Sequence, residues 1–176
     1  MKDRKQIKLI QSGHKDELEI LIYQTYFDVY SFVFRKLGDR ERAFDITQET
    51  YLRFMKSLEH YVFKGKTLHY LYRIACNLCN DYFRTCYREE EIEEVEASDP
   101  LPIDIVLAKE RKREISDYLK MLSEEQKEVI ILKYYHGLKA KEIANILDCR
   151  EATIKSRLRL GIRKLQELMR EGGKNE

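Results

Sequence analysis

The sequence predicts an all-α protein: two small helical domains joined by a flexible acidic linker. Three observations support this. Apolar residues recur at three- and four-residue steps, strand-like alternation is hard to find, and the 176 residues include only two prolines. Both prolines fall in the most acidic strip of the chain. We therefore predict domains at 1–87 and 105–176 and a linker at 88–104, where little apolar surface is available for folding.

Charge is distributed unevenly, although the net charge is only +2. Residues 1–87 carry 15 basic and 11 acidic side chains, and residues 105–176 carry 17 basic and 12 acidic ones. The linker carries one basic side chain and eight acidic ones. Two basic domains separated by an acidic strip suit a protein that meets a polyanion with both ends and not with its middle.

The first domain is predicted to contain four helices. The first spans 2–11, and the second starts near Asp16 and ends at Gly38, a natural C-terminal stop. Asp39 is a ready N-cap for the third helix, at about 40–58. The remaining predicted features are an aromatic, basic loop at 59–66 and a fourth helix capped by Thr67 and running to about Tyr87.

The second domain is predicted to start with a helix from Asp104 to about Met121. A capping box of Ser123 and Gln126 then introduces a helix that Gly137 ends. The remaining predicted features are a short helix at 139–147 with Ile143, Ala144 and Leu147 inward, a turn at 148–150, and a last helix from about Glu151 to Met169.

The last helix is crowded with cations in its N-terminal half, off the apolar stripe. A basic helix that follows a short helix at a tight turn is what reading of the DNA major groove requires. Its polar side chains can pair with base edges or phosphates, whereas the alternative is a solvated cationic surface. The candidate DNA-binding residues are Thr153, Lys155, Ser156, Arg157 and Arg159.

Catalysis, metal binding and membrane insertion find little support. The four histidines are scattered, and no Gly-rich phosphate loop or nucleophile motif is present. Cys76 and Cys79 have a metal-like spacing without a downstream partner pair, so we interpret them and Cys86 as reduced thiols, with a redox or metal role as the alternative. No apolar run approaches the ~20 residues of a membrane span, and the N-terminus lacks a signal-peptide core. We expect a cytoplasmic protein without catalytic residues, cofactor or metal.

Residues 122–165 resemble the C-terminal DNA-binding region of bacterial RNA polymerase sigma factors, in the extracytoplasmic-function group of the sigma-70 family. The family pattern has a Leu-Pro/Ser start, an EIA..L helix and a TVK.RL.RA...L helix. The matching residues here are Leu122-Ser123, Glu142-Ile143-Ala144 with Leu147, and Thr153-Ile154-Lys155-Ser156-Arg157-Leu158. The resemblance implies that the last helix reads the duplex −35 promoter element.

The first domain resembles the same family independently. Residues 43–51, AFDITQETY, are similar to the family's AEDLTQETF, and residues 71–84, LYRIACNLCNDYFR, are similar to its LYRIARNLxxDxxR. The resemblance implies that Asp45, Gln48 and Glu49 contact the clamp helices of the largest polymerase subunit. It implies that the loop 61–66 helps to hold an unstacked base. The residues it places at the −10 element are Lys66, Tyr70, Arg73, Asn77, Asn80, Asp81 and Arg84.

The function implied is that of a sigma factor, which binds core RNA polymerase and directs promoter-specific initiation through the −10 and −35 elements, aiding promoter melting. Its implied partners are the clamp helices, the flap of the second-largest subunit, promoter DNA and an anti-sigma factor. The alternative hypothesis is a stand-alone helix-turn-helix repressor or activator that binds operators as a dimer. That protein would need the second domain and neither motif of the first.

Several residues depart from the family pattern. Phe44 replaces an acid on the polymerase-facing segment, Cys76 replaces a usual Arg, and Tyr70 stands where Trp is frequent. Asp148 occupies a turn position where Gly is usual, and Asp tolerates a left-handed backbone at modest cost. Leu160-Gly161 replaces Arg-Ala, which removes one cation and keeps a small residue on the packed face.

Overall fold

The computed structural model describes residues 2–63, 65–89 and 117–172, and these residues form helices joined by short turns. The chain divides into two compact units, Met1–Arg88 and Glu89–Glu176. The helices are α1 (Lys2–Gln11), α2 (Lys15–Leu37), α3 (Arg40–Ser57), α4 (Thr67–Glu89), α5 (Glu124–Ile130), α6 (Ala140–Leu147) and α7 (Glu151–Gly172). The predicted all-α fold class with two small domains is confirmed. Within the described ranges, no helix is long and apolar enough to cross a membrane.

Two predicted features lie largely outside the described residues. They are the linker from residue 90 onward and most of the helix expected from Asp104 to Met121. Of that helix, only the turn at 117–120 is described, and it is helical.

Two helix ends of the first unit fall where local chemistry predicts, at Gly38 and Asp39. Gly38 adopts a left-handed conformation with φ +78° and donates its N–H to the carbonyl of Phe34, which closes α2. Asp39 accepts a hydrogen bond from the backbone N–H of Arg42 at 3.0 Å and so caps α3. The predicted boundary at Thr67 is wrong by one position, since Thr67 is the first residue of α4 rather than the residue before it.

The core of the first unit forms where α1, α3 and α4 each turn an apolar face inward around α2. From α2 it takes Val29, Phe32 and Val33, all fully buried, and Phe32 meets the edge of Tyr72 on α4. Cys76 and Cys79 are buried in this core as reduced cysteines. The Cys76 position, where the family usually has Arg, therefore faces the interior rather than a surface that meets DNA.

The second unit starts from the predicted capping box. The backbone N–H of Gln126 donates to Ser123 Oγ at 3.3 Å, and that of Ser123 donates to Gln126 Oε1 at 3.4 Å. The helix then widens into a π-helical segment at Ile131–Tyr135, which the sequence did not predict. His136 is its C-cap, and the left-handed Gly137, with φ +66°, follows the cap. Buried residues Leu119, Leu122 and Ile130 form a core cluster with the partly buried Leu158 and Leu165.

The short helix α6 is rotated slightly from its predicted orientation. Ile143 and Ala144 are buried as expected, but Leu147 is only half-buried and Ile146 takes the inward position. Asp148 then closes α6 in the left-handed conformation, with φ +51° and ψ +49°, as its place in the turn predicts. This left-handed residue begins the turn that joins α6 to α7.

Candidate nucleic-acid interface

One face of α4 carries a stripe of exposed polar side chains. Its members are spaced by four, three and four residues, which places them one above another along a helix. The stripe consists of Arg73, Asn77, Asn80 and Arg84, each of them exposed. The opposite face of α4 is buried and consists of Leu71, Ala75 and Leu78. Because the buried face fixes the rotation of the helix, the polar stripe has a defined outward direction.

Asp81 lies beside this stripe rather than in it. Its carboxylate is half-buried and accepts a hydrogen bond from Arg84 Nη2, one turn later on α4. A carboxylate facing phosphates would repel them, whereas one paired with a neighbouring guanidinium restrains that cation. The structure therefore separates Asp81 from the other predicted −10 residues of α4 and places it as a partner of Arg84.

Lys36, near the end of α2, is a functional candidate that the sequence did not reveal. Its side chain is 1% exposed, and its Nζ donates to Asn80 Oδ1 at 2.8 Å. A lysine in the last turn of a helix is ordinarily a surface residue that complements the helix dipole. Nothing in the local sequence distinguishes Lys36 from such a residue, and only the packing of α2 on α4 brings it to Asn80.

An aromatic cluster lies at the start of α4, below the stripe. The ring centroids of Tyr61 and Tyr70 are 4.6 Å apart, and both rings meet Phe54 edge-on at 5.9 and 6.2 Å. Burial, with Tyr70 close by, raises the pKa of the Tyr61 phenol, so that it stays neutral. Gln11 of α1 holds the backbone at Tyr61 by donating to its carbonyl at 3.0 Å. Tyr61 and Tyr70 are thus packed against each other, while Lys66 next to them is exposed.

The polar face of α3 forms a second candidate surface. Asp45 and Gln48 are exposed, whereas Glu49 is half-buried and accepts a hydrogen bond from Arg53 Nε at 2.9 Å. Leu52, one turn beyond Gln48, is 45% exposed. Phe44, one turn before Gln48, is 48% exposed. Leu52 was not predicted from the sequence, because its place in the helical period identifies it as outward but gives no reason for an apolar residue there.

The predicted DNA-binding residues of α7 fall into two groups, one on its exposed face and one on the flank of that face. Lys155, Ser156 and Arg159 are exposed and share one face, together with Ala152, which the sequence analysis did not select. Thr153 and Arg157 lie half-buried on the flank of that face. Ile154 is fully buried and fixes the rotation of the helix. Of the five predicted residues, only Lys155, Ser156 and Arg159 therefore lie on the outward face of α7.

Carboxylates restrain two of these cations. Lys155 Nζ lies 2.8 Å from Glu151 Oε1, and Arg157 Nη2 lies 3.8 Å from Glu125 Oε1. The hydrogen bond from Lys155 lowers the pKa of the Glu151 carboxyl. Arg159 has no ion-pair partner among the residues that the structure describes, so it offers its full charge to an incoming phosphate or base edge.

A metal centre is not found in the described part of the chain: none of its His, Cys, Asp and Glu side chains form a group that could hold an ion. Polar, cationic and aromatic side chains on exposed helix faces are suited to binding.

Comparison with known proteins places both units in one family. The Sigma-70 region 2 model matches residues 21–89, and the Sigma-70, region 4 model matches residues 112–165. The chain is 28% identical to the ECF RNA polymerase sigma factor SigW of Bacillus subtilis (strain 168), over 96% of this chain and 97% of that protein. It is 33% identical to the ECF RNA polymerase sigma factor SigK of Mycobacterium sp. (strain KMS), over 88% and 83%.

A solved structure shares the fold. It is that of the sigma factor RpoE from Bartonella quintana, in complex with the anti-sigma factor NepR. It aligns with a TM-score of 0.72 at 22% identity, over 88% of this chain and 97% of that one.

Proposed function

This chain belongs to the extracytoplasmic-function group of the sigma-70 family, and on that premise we propose how its surfaces divide the work of promoter recognition. It is a transcription initiation factor that directs RNA polymerase to promoters, and it is not an enzyme. The observation that carries the division is the outward stripe of Arg73, Asn77, Asn80 and Arg84 on α4, next to the aromatic cluster. We call these four residues the α4 stripe.

The α4 stripe meets the −10 element. Arginine and asparagine donate to phosphate oxygens and to base edges, and they do so without needing a regular duplex. Lys66 adds a cation at the N-terminal end of the stripe, and the loop at 61–66 holds an unstacked base beside it. Tyr61 and Tyr70 support that base from below as a packed pair, since their rings already contact each other.

The polar face of α3 binds the clamp helices of the largest polymerase subunit. Asp45, Gln48 and Glu49 supply polar contacts, and Leu52 and Phe44 supply the apolar area that a protein interface requires near its centre. A half-exposed leucine beside carboxylates suits a partner surface that combines cations with an apolar contact. Where the family usually has an acidic residue, Phe44 thus contributes apolar contact area.

In the second unit, α7 enters the major groove of the −35 element. Ala152, Lys155, Ser156 and Arg159 face the base edges, and Thr153 and Arg157 on the flank reach phosphates. The flap of the second-largest polymerase subunit holds this unit over its DNA. The cytoplasm, where polymerase and promoters are found, is the place in which these contacts form.

An anti-sigma factor regulates the chain. The Bartonella quintana RpoE structure contains such a partner, NepR, bound to a protein of the same fold. For the present chain, an anti-sigma factor that covered α3 or α7 would block polymerase or DNA directly. Competition between an anti-sigma candidate and core polymerase for the purified chain tests this proposal.

In the deciding experiment, the purified chain is added to bacterial core polymerase and a DNA library whose promoter region is randomised. The transcripts are then sequenced. We expect transcripts that share two upstream elements at a fixed spacing. Specific duplex binding by the chain alone, with core polymerase inactive on every template, would support the helix-turn-helix repressor instead.

Two sets of variants assign the surfaces. Gln48→Ala with Glu49→Ala should weaken core binding, whereas Arg159→Ala should reduce use of the upstream element and leave core binding intact. Arg170→Ala, which removes an exposed cation from the far end of the same helix, is the matched control for Arg159. The opposite pattern would reverse the assignment of the two surfaces.

A further inference from the structure

Lys36 and Asn80 form a polar pair that links the interior of the first unit to the α4 stripe. Lys36 is 1% exposed, whereas Asn80 is exposed on the outer face of α4, and Lys36 Nζ lies 2.8 Å from Asn80 Oδ1. The two residues are 44 positions apart and come from different helices. A buried lysine ammonium group needs polar partners to replace its lost hydration. Loss of this contact would therefore lower the free energy of unfolding.

The chemistry of lysine determines which end of the Asn80 amide faces inward. An ammonium group has three donors and no acceptor, whereas an asparagine amide has an oxygen that accepts and an NH2 that donates. The Asn80 oxygen must therefore point to Lys36. The NH2 group is left directed away from Lys36, on an exposed side chain and without a hydrogen-bond partner among the described residues.

We propose that Lys36 is a positioning residue that makes Asn80 a donor-only contact for promoter DNA. Asn80 then selects an acceptor on the −10 strand, either a phosphate oxygen or a base acceptor such as a carbonyl oxygen, and disfavours an exocyclic amino group at that position. An asparagine that was free to turn its amide would accept either kind of partner. This inference rests on the proposed function, since it refines the role of one residue of the α4 stripe.

The substitution Asn80→Asp separates the inward contact from the outward one. Aspartate keeps an oxygen for Lys36 and replaces the outward NH2 by a second oxygen that repels phosphate. We expect the thermal midpoint and core affinity to be kept, while promoter melting by the holoenzyme slows about tenfold or more. Melting is followed by the fluorescence of 2-aminopurine placed in the −10 region of promoters selected from the randomised library. Gln24→Glu, an exposed amide on α2 converted to the same charge, is the control.

Substitutions of Lys36 test the positioning role itself. Lys36→Arg keeps a donor-only group, so melting should stay within about twofold of wild type. Lys36→Gln can present either an oxygen or an NH2, which lets the Asn80 amide turn, and melting should slow several-fold at unchanged core affinity. Discrimination at the −10 position should also relax in Lys36→Gln, which a merely structural role for Lys36 would not produce. The relaxation is measured by repeating the library selection with that variant.

Each outcome bears on the proposal. Wild-type melting by Asn80→Asp would overturn the donor role of Asn80. A thermal midpoint of Asn80→Asp that falls as far as that of Asn80→Ala would overturn the pairing with Lys36, and this measurement needs no polymerase. A wild-type holoenzyme that initiates nowhere in the library would overturn the proposed function, and the DNA role of Asn80 with it.

Discussion

Gly161 is the residue at which side-chain size limits packing in the second unit. It is buried where α7 packs against α5, and a Cβ placed on it would lie 2.7 Å from Ile130 Cδ1 and 3.3 Å from Gln126 Cβ. Ile130 belongs to the core cluster, so it has little freedom to move aside. The small residue at this position therefore sets how closely the two helices approach.

Gly161→Leu should destabilise the second unit. Overpacking of a filled core lowers the free energy of unfolding by ~1–3 kcal/mol, and this loss exceeds the gain from replacing a helical glycine. Urea unfolding followed by circular dichroism measures the change. Gln166→Leu, at an exposed position of the same helix, is the control and should stay near wild type. Equal stability of the two variants would contradict the packing of α7 on α5.

Tyr51 makes the stability of the first unit depend on alkaline pH. Its side chain is buried, and its hydroxyl donates to Thr25 Oγ1 at 2.8 Å, because the Thr25 hydroxyl itself donates to the Leu21 carbonyl. Burial raises the pKa of Tyr51 to about 12. In the unfolded chain the phenol ionises near its ordinary pKa of about 10. The stabilisation is thus complete below pH ~10 and is lost as the pH rises through about 12.

Tyr51→Phe should remove part of this pH dependence. At neutral pH, loss of the hydrogen bond to Thr25 should lower the free energy of unfolding by about 1 kcal/mol. Between pH ~10 and ~12, the variant should lose stability less steeply than wild type, because one fewer buried phenol can ionise on unfolding. Phenolate absorbance and circular dichroism, recorded at each pH, measure both effects. Identical slopes would show that Tyr51 is not the titrating group.

At the scale of elements, α7, the helix that we propose reads DNA, carries a carboxylate that would compete with DNA for one of its cations. Glu151 pairs with Lys155 one turn later, at the helix end that we propose enters the groove. DNA that recruits the lysine would have to displace this exposed pair, and an exposed ion pair is weak. The carboxylate would also repel the phosphates of a bound duplex, and this repulsion would lower the affinity of the N-terminal turn of α7 for DNA.

Glu151→Gln should therefore tighten binding to the −35 duplex. We expect up to about a fivefold gain in affinity of the holoenzyme for its upstream element, because an exposed ion pair is weak. The matched control is Glu167→Gln, which removes the ion-pair partner of Arg163. Glu167 lies two helical turns beyond Arg159. Competition with increasing upstream DNA measures the difference. An unchanged or weaker affinity for Glu151→Gln would assign Lys155 to a role away from DNA.

The helix α3 presents a leucine where solvent exposure alone would favour a polar residue. Leu52→Ala should weaken core polymerase binding about tenfold, since an apolar side chain near the centre of an interface often contributes more than 1 kcal/mol. Ile20→Ala on α2 is the control, because Ile20 has the same 45% exposure but lies on a different helix. Affinity is measured by fluorescence anisotropy of labelled chain with core enzyme. A larger effect for Ile20 would move the interface from α3 to α2.

At the scale of the whole molecule, we expect the two proposed DNA contacts, one in each unit, to be weak alone and to act together only when both are held in register. Tethering of two modules raises the effective concentration of the second and increases avidity by ~10²–10⁴ without new contacts. The family assigns the holding of both units to polymerase. Selectivity then belongs to the complex of chain and polymerase rather than to the chain.

The isolated chain should bind promoter duplex weakly and with little sequence preference. Addition of core polymerase should raise the affinity for promoter over random DNA by at least about a hundredfold, at one stated salt concentration. Gel-shift titrations of the chain, with and without core enzyme, measure both quantities. Tight and specific binding by the chain alone would contradict this division of labour.

The sequence by itself determined the family, the described helices and most of their ends. Gly38, Asp39, Ser123 and Asp148 act on backbone groups within four residues, so their effects are legible in a short window of sequence. The positions of the polar faces of α3, α4 and α7 follow from helical period for the same reason. The π-helical end of α5 and the burial of Ile146 in place of Leu147 were not legible, because packing of neighbouring helices overrode the local pattern.

Only the tertiary structure decided which side chains of the candidate surfaces are available. It brought Lys36 to Asn80, packed Tyr61 against Tyr70, and placed Arg157 beside Glu125 on the flank of α7. Each of these contacts joins residues far apart in the chain or on different elements. Local pattern specifies which face a residue occupies, but the partner across that face depends on how the helices pack, and the partner determines whether a polar group is presented to a ligand or held within the protein.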